Sequence, residues 1–545
     1  MPEPTAPAPA NKISTKSAGI VSLAVMSSRV LGLIRDQIFA ALFGAGVQMD
    51  AFVAAFRAPN LLRDLFAEGA LSTAFITTFS EKISRGGDAE AWKLANKMAT
   101  LTAIFMSGIS LLGILLAPQI MWLLAPGFSD TPGKMELTVL LAQIMFPFIA
   151  LVSLAALVMG MLNAKNVFGM PAMASTFFNL GSIIGGVVLG WWLDPNFGTK
   201  HYGSGSLIGL SIGTLIGGLA QLCVQFPALR SVGYRFRPDF AWRDAGVRRI
   251  LLLMGPAVVA ASAVQVNVMV NGNFASHLGN GPVSWLSYAF RLMQLPIGIF
   301  GVAIGTVTLP VVARSAAAGN IAEFRAILAK GMRLAFLLTI PSTIGLVMLA
   351  QPIISLIYER RAFTAESTAQ AAAALQFYAV GLSAYAGIKV LAPSFYALGK
   401  RNTPMMVSFL SIAVNYGLNQ YFTFHLGWGH RGLALSTGLV ALTNFSLLYW
   451  LMHRQVQRLE TKQMVATLAK LAVAGGVLAL VCWAGQQWVL AGWAHQGFIL
   501  RALLLFATIG VAGGAFFTVA LFLRIQELDD VAALARRKLG RLAKR

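Results

Sequence analysis

The chain has 545 residues, of which 57% are apolar and only 11% charged, and its formal net charge is +22. A soluble protein has about a quarter charged residues, so the composition reads as an integral membrane protein. The apolar runs, about 20 residues or longer, suit helices crossing roughly 30 Å of hydrocarbon and exclude a β-barrel, whose segments are about ten alternating residues. The expected fold class is an all-α polytopic membrane protein.

The opening residues, 1–16, are rich in Pro and Ala and lack the charged region and cleavage site of a signal peptide. They read as a short disordered tail. About fourteen spans follow, near 17–44, 48–80, 98–124, 137–162, 168–193, 205–229, 248–276, 282–313, 331–357, 367–398, 404–426, 431–453, 464–489 and 499–523. Placing the N-terminus in the cytoplasm leaves roughly 29 Lys and Arg on that side and about 6 on the other. The basic clusters are Lys82 to Lys97, Arg230 to Arg249, Arg314 to Arg333, Arg454 to Lys462 and the tail 525–545, whereas loops such as 45–49, 277–281 and 490–498 hold none. Both termini are therefore expected in the cytoplasm. The same asymmetry absorbs the basic excess, and no nucleic-acid partner is needed.

Segment 28–80 holds Arg29, Arg35, Asp36, Asp50, Arg57, Arg63, Asp64 and Glu68 within what hydropathy reads as two membrane helices. Each charge near a bilayer centre costs on the order of 3 kcal/mol, so such residues face a protein interior or a water-filled cavity. At 100° per residue, Arg57, Asp64 and Glu68 are expected on one helix face, and Arg29 and Asp36 on another. Local neutralisation of each Arg by a nearby acid is the bland alternative. The surplus is positive, and Arg suits phosphate because its planar fork binds oxygens bidentately. Arg29, Arg35, Arg63 and Arg291 are the candidate substrate-binding residues. Arg57, Asp64 and Glu68 are supporting, and Asp50 is a gating or helix-positioning acid.

Two short motifs recur at an offset near 235 residues. FGAG from Phe43, followed by AFR at Ala55 to Arg57, returns as LGNG from Leu278 and AFR at Ala289 to Arg291. The run Asn163 to Ser175 likewise resembles Leu398 to Ser408. The repeat predicts two six-helix lobes, 17–240 and 241–455, related by a pseudo-twofold axis along the membrane normal, plus two extra helices in 456–524. Arg57 and Arg291 occupy equivalent positions and are expected to face each other across a central space.

Asn271, Asn415, Asn419 and Thr437 form a candidate cation site, with interhelical hydrogen bonding as the favoured reading because neutral amides are poorer cation ligands than carboxylates. Cys223 and Cys482 lie in separate apolar runs and the six His at loops or helix ends, so neither forms a metal-ligand pattern. No nucleophile–base arrangement or phosphate-cradling loop appears, and a transporter is expected rather than an enzyme.

The runs SRVLGLIRD, FGAG, DAF, PNLLRDLFAEGALSTAF and SWLSYAFRLMQLPIGIFGVAIGTVTLP resemble the lipid II flippases of the MviN/MurJ type, within the multidrug/oligosaccharidyl-lipid/polysaccharide exporter superfamily. The resemblance covers essentially the whole chain. It implies a multi-pass protein of the bacterial cytoplasmic (inner) membrane that moves undecaprenyl-diphosphate-linked disaccharide-pentapeptide to the outer leaflet for peptidoglycan synthesis and cell shape. It further implies contacts with membrane lipids and with the cell-wall synthesis machinery, and no cofactor beyond coupling to Na+ or to the membrane potential. The family's substrate arginines match Arg29, Arg35, Arg63 and Arg291, its acids match Asp50 and Glu68, and the last two spans would form the lipid-tail groove. Many members have acids immediately before and three residues after the eighth-helix Arg; here Phe290 and Gln294 stand there, which makes the cavity more cationic. The rival readings are an exporter of another polyprenyl-linked glycan or amphipathic compound, and a membrane scaffold for cell-wall enzymes.

Overall fold

The computed structural model of the chain describes residues 15–199 and 202–528, and all the regular elements among them are helices. Most of the expected N-terminal and C-terminal tails lies outside the described residues. Among the described residues nine helices are long and apolar enough to cross a membrane, or up to eleven if each of two bent pairs is one span. The expected count of fourteen is not established by length and composition. The three expected spans without such a helix are 17–44, 48–80 and 404–426. All three are helical but polar: the first two hold the charged cluster, and the third carries Asn415, Asn419 and Gln420.

A second difference concerns the basic segment from Lys82 to Lys97, expected as a loop. It is part of a helical element, Ser72–Leu115, interrupted only at Gly87, whose φ of 71° leaves the helical region. Ala, Glu and Lys are strong helix formers. Ion pairs also lace the segment: Arg85–Glu81 at 3.0 Å, Lys93–Glu90 at 2.8 Å and Arg249–Glu81 at 2.6 Å. The paired glycines Gly86 and Gly87 are where the direction changes.

The chain divides into two compact units. The first takes in the residues up to Phe39 together with Ala54–Trp122 and Met135–Ser262, and the second Ala40–Val53, Leu123–Lys134 and the chain from Ala263 onward. In the first unit the core gathers Phe75, Phe79, Leu94, Met98, Leu157, Met161 and Leu162. Its ring chain runs Phe75–Phe79–Trp92–Tyr234 with centroids 5.0, 5.4 and 5.3 Å apart. Helices Gly169–Leu193 and Ser204–Cys223 pack backbone against backbone. Gly209, Gly213 and Gly217 recur every four residues, and a Cβ on each would strike Gly190, Gly186 and Ser182 respectively. Between apolar helices in lipid, such small-residue contacts supply the close packing that hydrophobic exclusion cannot.

In the second unit the C-terminal helices Thr461–Ala484 and Phe498–Phe522 pack on each other and on Ile321–Met348. Buried Arg333 fastens the group: its guanidinium donates to Glu460 at 2.8 Å, to Gln463 at 3.3 Å and to Glu527. The sequence repeat has a local structural counterpart. Gly44 (φ 66°) and Gly279 (φ 84°) each take the left-handed conformation, and helices Val47–Arg63 and Pro282–Pro296 follow. Each helix then runs into a π-helical stretch, Asp64–Leu71 in one copy and Ile297–Gly301 in the other.

Replacing Gly213 by Ala should destabilise the protein by about 1–3 kcal/mol through overpacking. Gly476→Ala, where a Cβ meets nothing within 4 Å, should be neutral or slightly stabilising. Thermal unfolding in detergent checks both, and equal shifts for the two variants would contradict the backbone-contact account.

Candidate substrate site and a buried aspartate–lysine pair

The first unit holds three of the four predicted substrate arginines. Arg29 is exposed on helix Thr15–Phe43. That helix is tied to Gly169–Leu193 by Asn179, whose amide donates to Ser28 O at 3.1 Å. Arg35 donates through Nε and Nη2 to Asp36 Oδ1 at 3.4 and 3.2 Å, and it lies 5.5 Å from the Phe178 ring. Arg63 repeats the arrangement with Asp64 Oδ1, at 3.2 and 2.9 Å. Both acids thus serve the arginine immediately before them. These contacts are the local neutralisation of an Arg by a nearby acid, since a long guanidinium can fold back on its neighbour.

The expected face of Arg57, Asp64 and Glu68 crosses a change of backbone geometry. Arg57 lies half-buried in helix Val47–Arg63, but from Asp64 the backbone is π-helical, so α-helical spacing ends at Arg63. The Glu68 side chain lies outside the described residues.

Asp50 is completely buried in the second unit, where it joins three chain segments. One oxygen accepts from Ser284 N at 2.8 Å and Ser284 Oγ at 2.6 Å; the other accepts from Gly281 N at 2.7 Å and Lys134 Nζ at 3.1 Å. The carboxylate therefore caps the N-terminus of Pro282–Pro296 from a distant segment, where the free N–H groups and the helix dipole favour a negative charge. Lys134, also buried, donates in addition to Gly279 O at 3.2 Å and Asn280 Oδ1 at 3.0 Å, and its Nζ sits 4.0 Å over the Phe128 ring. Sequence reasoning missed Lys134 as a functional residue. Its signal was present: a lone Lys in a loop on the side where basic residues are scarce.

Arg291 is exposed on Pro282–Pro296, held in place by its buried neighbours Leu292 and Met293. Phe290, where the resemblance implied an acid, packs edge-on against Tyr378 with centroids 5.4 Å apart. The four polar residues of the candidate cation site do converge. Asn271 Oδ1 accepts from Asn415 at 3.0 Å and Asn419 at 2.8 Å, Asn271 Nδ2 donates to Thr437 Oγ1 at 3.1 Å, and Thr437 donates to Leu433 O at 2.9 Å. Asn415 Oδ1 and Asn419 Oδ1 are buried without a hydrogen-bond partner. They are neutral carbonyls, and the cluster contains no carboxylate. A resident cation would carry its charge into a buried site with nothing to offset it, so this residue set does not fit one.

These features sit in a chain with clear relatives. The sequence model described as "Lipid II flippase MurJ" matches residues 39–504. The chain belongs to the MurJ family of lipid II flippases. A MurJ relative from Vibrio cholerae, named a probable lipid II flippase, is 34% identical over 526 residues, covering 95% of this chain and 98% of the relative. The lipid II flippase MurJ of Burkholderia cenocepacia is 36% identical over 433 residues, 79% of this chain and 82% of that one. A solved MurJ structure in an inward closed conformation superposes with a TM-score of 0.71 at 25% identity, covering 91% of this chain and 98% of that chain. An inward-facing multidrug MATE transporter of the MOP superfamily, 14% identical with a TM-score of 0.67 over 81% of this chain and 98% of its own, shares the fold.

Two outcomes follow from the second-unit geometry. Lys134→Met should cost about 3–5 kcal/mol by stranding a buried carboxylate, and Asp50→Asn in the same background should recover part of the loss. A double-mutant cycle of thermal stability in detergent measures this. Replacing Na+ by K+ at constant ionic strength should leave thermal stability unchanged, because a ligand that binds only the folded state would raise it. A Na+-dependent rise of several degrees would overturn the account of the asparagine cluster.

Proposed function

We propose that this chain moves lipid II, the undecaprenyl-diphosphate-linked disaccharide-pentapeptide, from the inner to the outer leaflet of a bacterial cytoplasmic membrane for peptidoglycan synthesis. The observation that carries the reading is the arginine set of the first two helices and Arg291 in a member of the MurJ family. Arg29, Arg35, Arg63 and Arg291 supply planar donor forks for a diphosphate. Asp36 and Asp64, each engaged through one oxygen with the arginine beside it, hold two of those forks in position while lowering the net charge the empty site must carry.

Transport proceeds by alternating access, with the arginine set exposed first to the cytoplasmic side and then to the outer side. Arg57 and Arg291, equivalent in the repeat, act together in that cycle, and Glu68 supports it. The Asp50–Lys134 pair holds the outer end of the second unit together while the inner side is open. Both termini are cytoplasmic, and the C-terminal helices carry the lipid tail. The membrane potential, negative inside, favours outward passage of negative charge at about 2.3 kcal/mol per charge per 100 mV. That drive needs no bound cofactor and no cation at the asparagine cluster. A drug exporter of cations would call for acids in place of the arginine surplus, and the sequence offers a surplus of arginine.

Depletion of this protein in cells without another flippase should reduce the lipid II accessible at the outer face, and collapse of the membrane potential should slow its appearance there. Arg29→Ala, Arg63→Ala and Arg291→Ala should each lower that accessibility by about tenfold or more, corresponding to about 1.4 kcal/mol. A scaffold for cell-wall enzymes would tolerate all three substitutions, and unchanged outer-face lipid II on depletion would sink the proposal.

A further inference from the structure

Beyond the arginines assigned above, two others in the second unit converge from separate elements. Arg360 Nη2 donates to Leu356 O at 2.9 Å, and Arg501 Nη2 donates to Ser355 Oγ at 2.6 Å. Both guanidinium groups therefore gather at the last turn of helix Ala350–Tyr358. Each also lies over an aromatic ring from one short segment: Arg360 is 4.6 Å from the Phe498 centroid and Arg501 is 4.7 Å from that of Trp493. A backbone carbonyl, a hydroxyl and two rings thus fix two like charges side by side.

Nothing negative answers them. Among the described residues neither arginine forms an ion pair, and Arg501 Nε is buried without a hydrogen-bond partner. Burial, followed by the charge of Arg501, pulls the Arg360 guanidinium below its usual basicity. Two cations held together at this repulsive cost form an arrangement that an anion would relieve.

The surroundings indicate where the anion comes from. The arginines stand where a membrane-spanning helix begins, at Phe498, which is 56% exposed; Trp488, at the end of the preceding helical element, is 76% exposed. Exposed aromatics at span ends mark the level of lipid head groups. Below them, Ile499, Leu503 and Phe506 form an exposed apolar stripe at helical spacing, a surface along which a lipid chain can lie. Charge counting places this end of the spans on the outer side, where loop 490–498 has no Lys or Arg, so the pair is not an orientation signal. Snorkelling of single basic side chains does not account for two arginines braced against each other.

We propose that Arg360 and Arg501 form an outer-leaflet site for the phosphate of a membrane lipid, separate from the Arg29, Arg35, Arg63 and Arg291 set. The phosphate oxygens bridge the two guanidinium forks, taking up the unpartnered Nε of Arg501. A phospholipid phosphate and a polyprenyl diphosphate share this chemistry.

The test uses the full-length chain purified in neutral detergent and titrated separately with phosphatidylglycerol, undecaprenyl diphosphate, phosphatidylcholine and inorganic phosphate. Native mass spectrometry counts the bound molecules. The unaltered chain should retain one phosphate lipid, and the doubly substituted Arg360→Gln/Arg501→Gln chain should bind it about tenfold or more weakly. Arg314→Gln, which removes a charge from an exposed position elsewhere, should leave binding intact. Tighter retention of phosphatidylglycerol assigns the site to bilayer lipid; tighter retention of undecaprenyl diphosphate assigns it to the polyprenyl carrier. If the Gln variants unfold early, Arg360→Lys/Arg501→Lys, which keeps the charge but not the forks, should still weaken binding. The proposal falls if the double variants bind as the unaltered chain does, if Arg314→Gln weakens binding equally, or if inorganic phosphate binds as tightly as the lipids. The readout is binding, so it stands or falls independently of transport.

Discussion

Hydrocarbon offers a charge no solvent, so each ionised group placed among membrane helices must be answered from within the protein. Asp50 and Lys134 meet that constraint most completely. The carboxylate receives four donors and the ammonium ion gives to three acceptors above a ring face. Because those partners come from the start of Val47–Arg63, the start of Lys134–Met145 and the start of Pro282–Pro296, neutralising two charges also fixes three chain segments. Arg333 acts similarly at another place, gathering Glu460 and Glu527 from the two ends of the C-terminal helix pair.

The candidate substrate arginines obey the constraint differently. Arg35 and Arg63 each lean on one adjacent carboxylate and remain partly accessible, while Arg29 and Arg291 are exposed. A fully satisfied buried pair stabilises and has little left to offer a ligand. In the proposed function the arginines, not the buried pair, meet the substrate.

Much of this was legible in the sequence where residue type alone implies the physics. The density of charge in 28–80 marked an unusual helix pair, and the repeated FGAG and LGNG motifs marked two segments to which the structure gives the same positive φ, at Gly44 and Gly279. The convergence of Asn271, Asn415, Asn419 and Thr437 was also anticipated. Lys134 was not, because its partner lies 84 residues away and one-dimensional spacing cannot bring them together. The contacts of Arg35 with Asp36 and of Arg63 with Asp64 are the local neutralisation that the sequence offered as the alternative to shared helix faces. The expected loop at Lys82 to Lys97 was read from charge, yet charge sets which side of the membrane a segment occupies, not whether it coils.

The π-helical stretches after Arg63 and after Pro296 have a practical bearing on how the molecule is mapped. An α-helix closes its hydrogen bonds over four residues and a π-helix over five, so the angular register of side chains slips between the two halves of each element. A ladder of engineered cysteines laid out with one periodicity along 47–80 or 282–317 would change azimuth partway, and reagent accessibility would appear to jump from one wall to another. Read with a phase break at Asp64 and at Ile297, the same ladder would trace a single continuous lining.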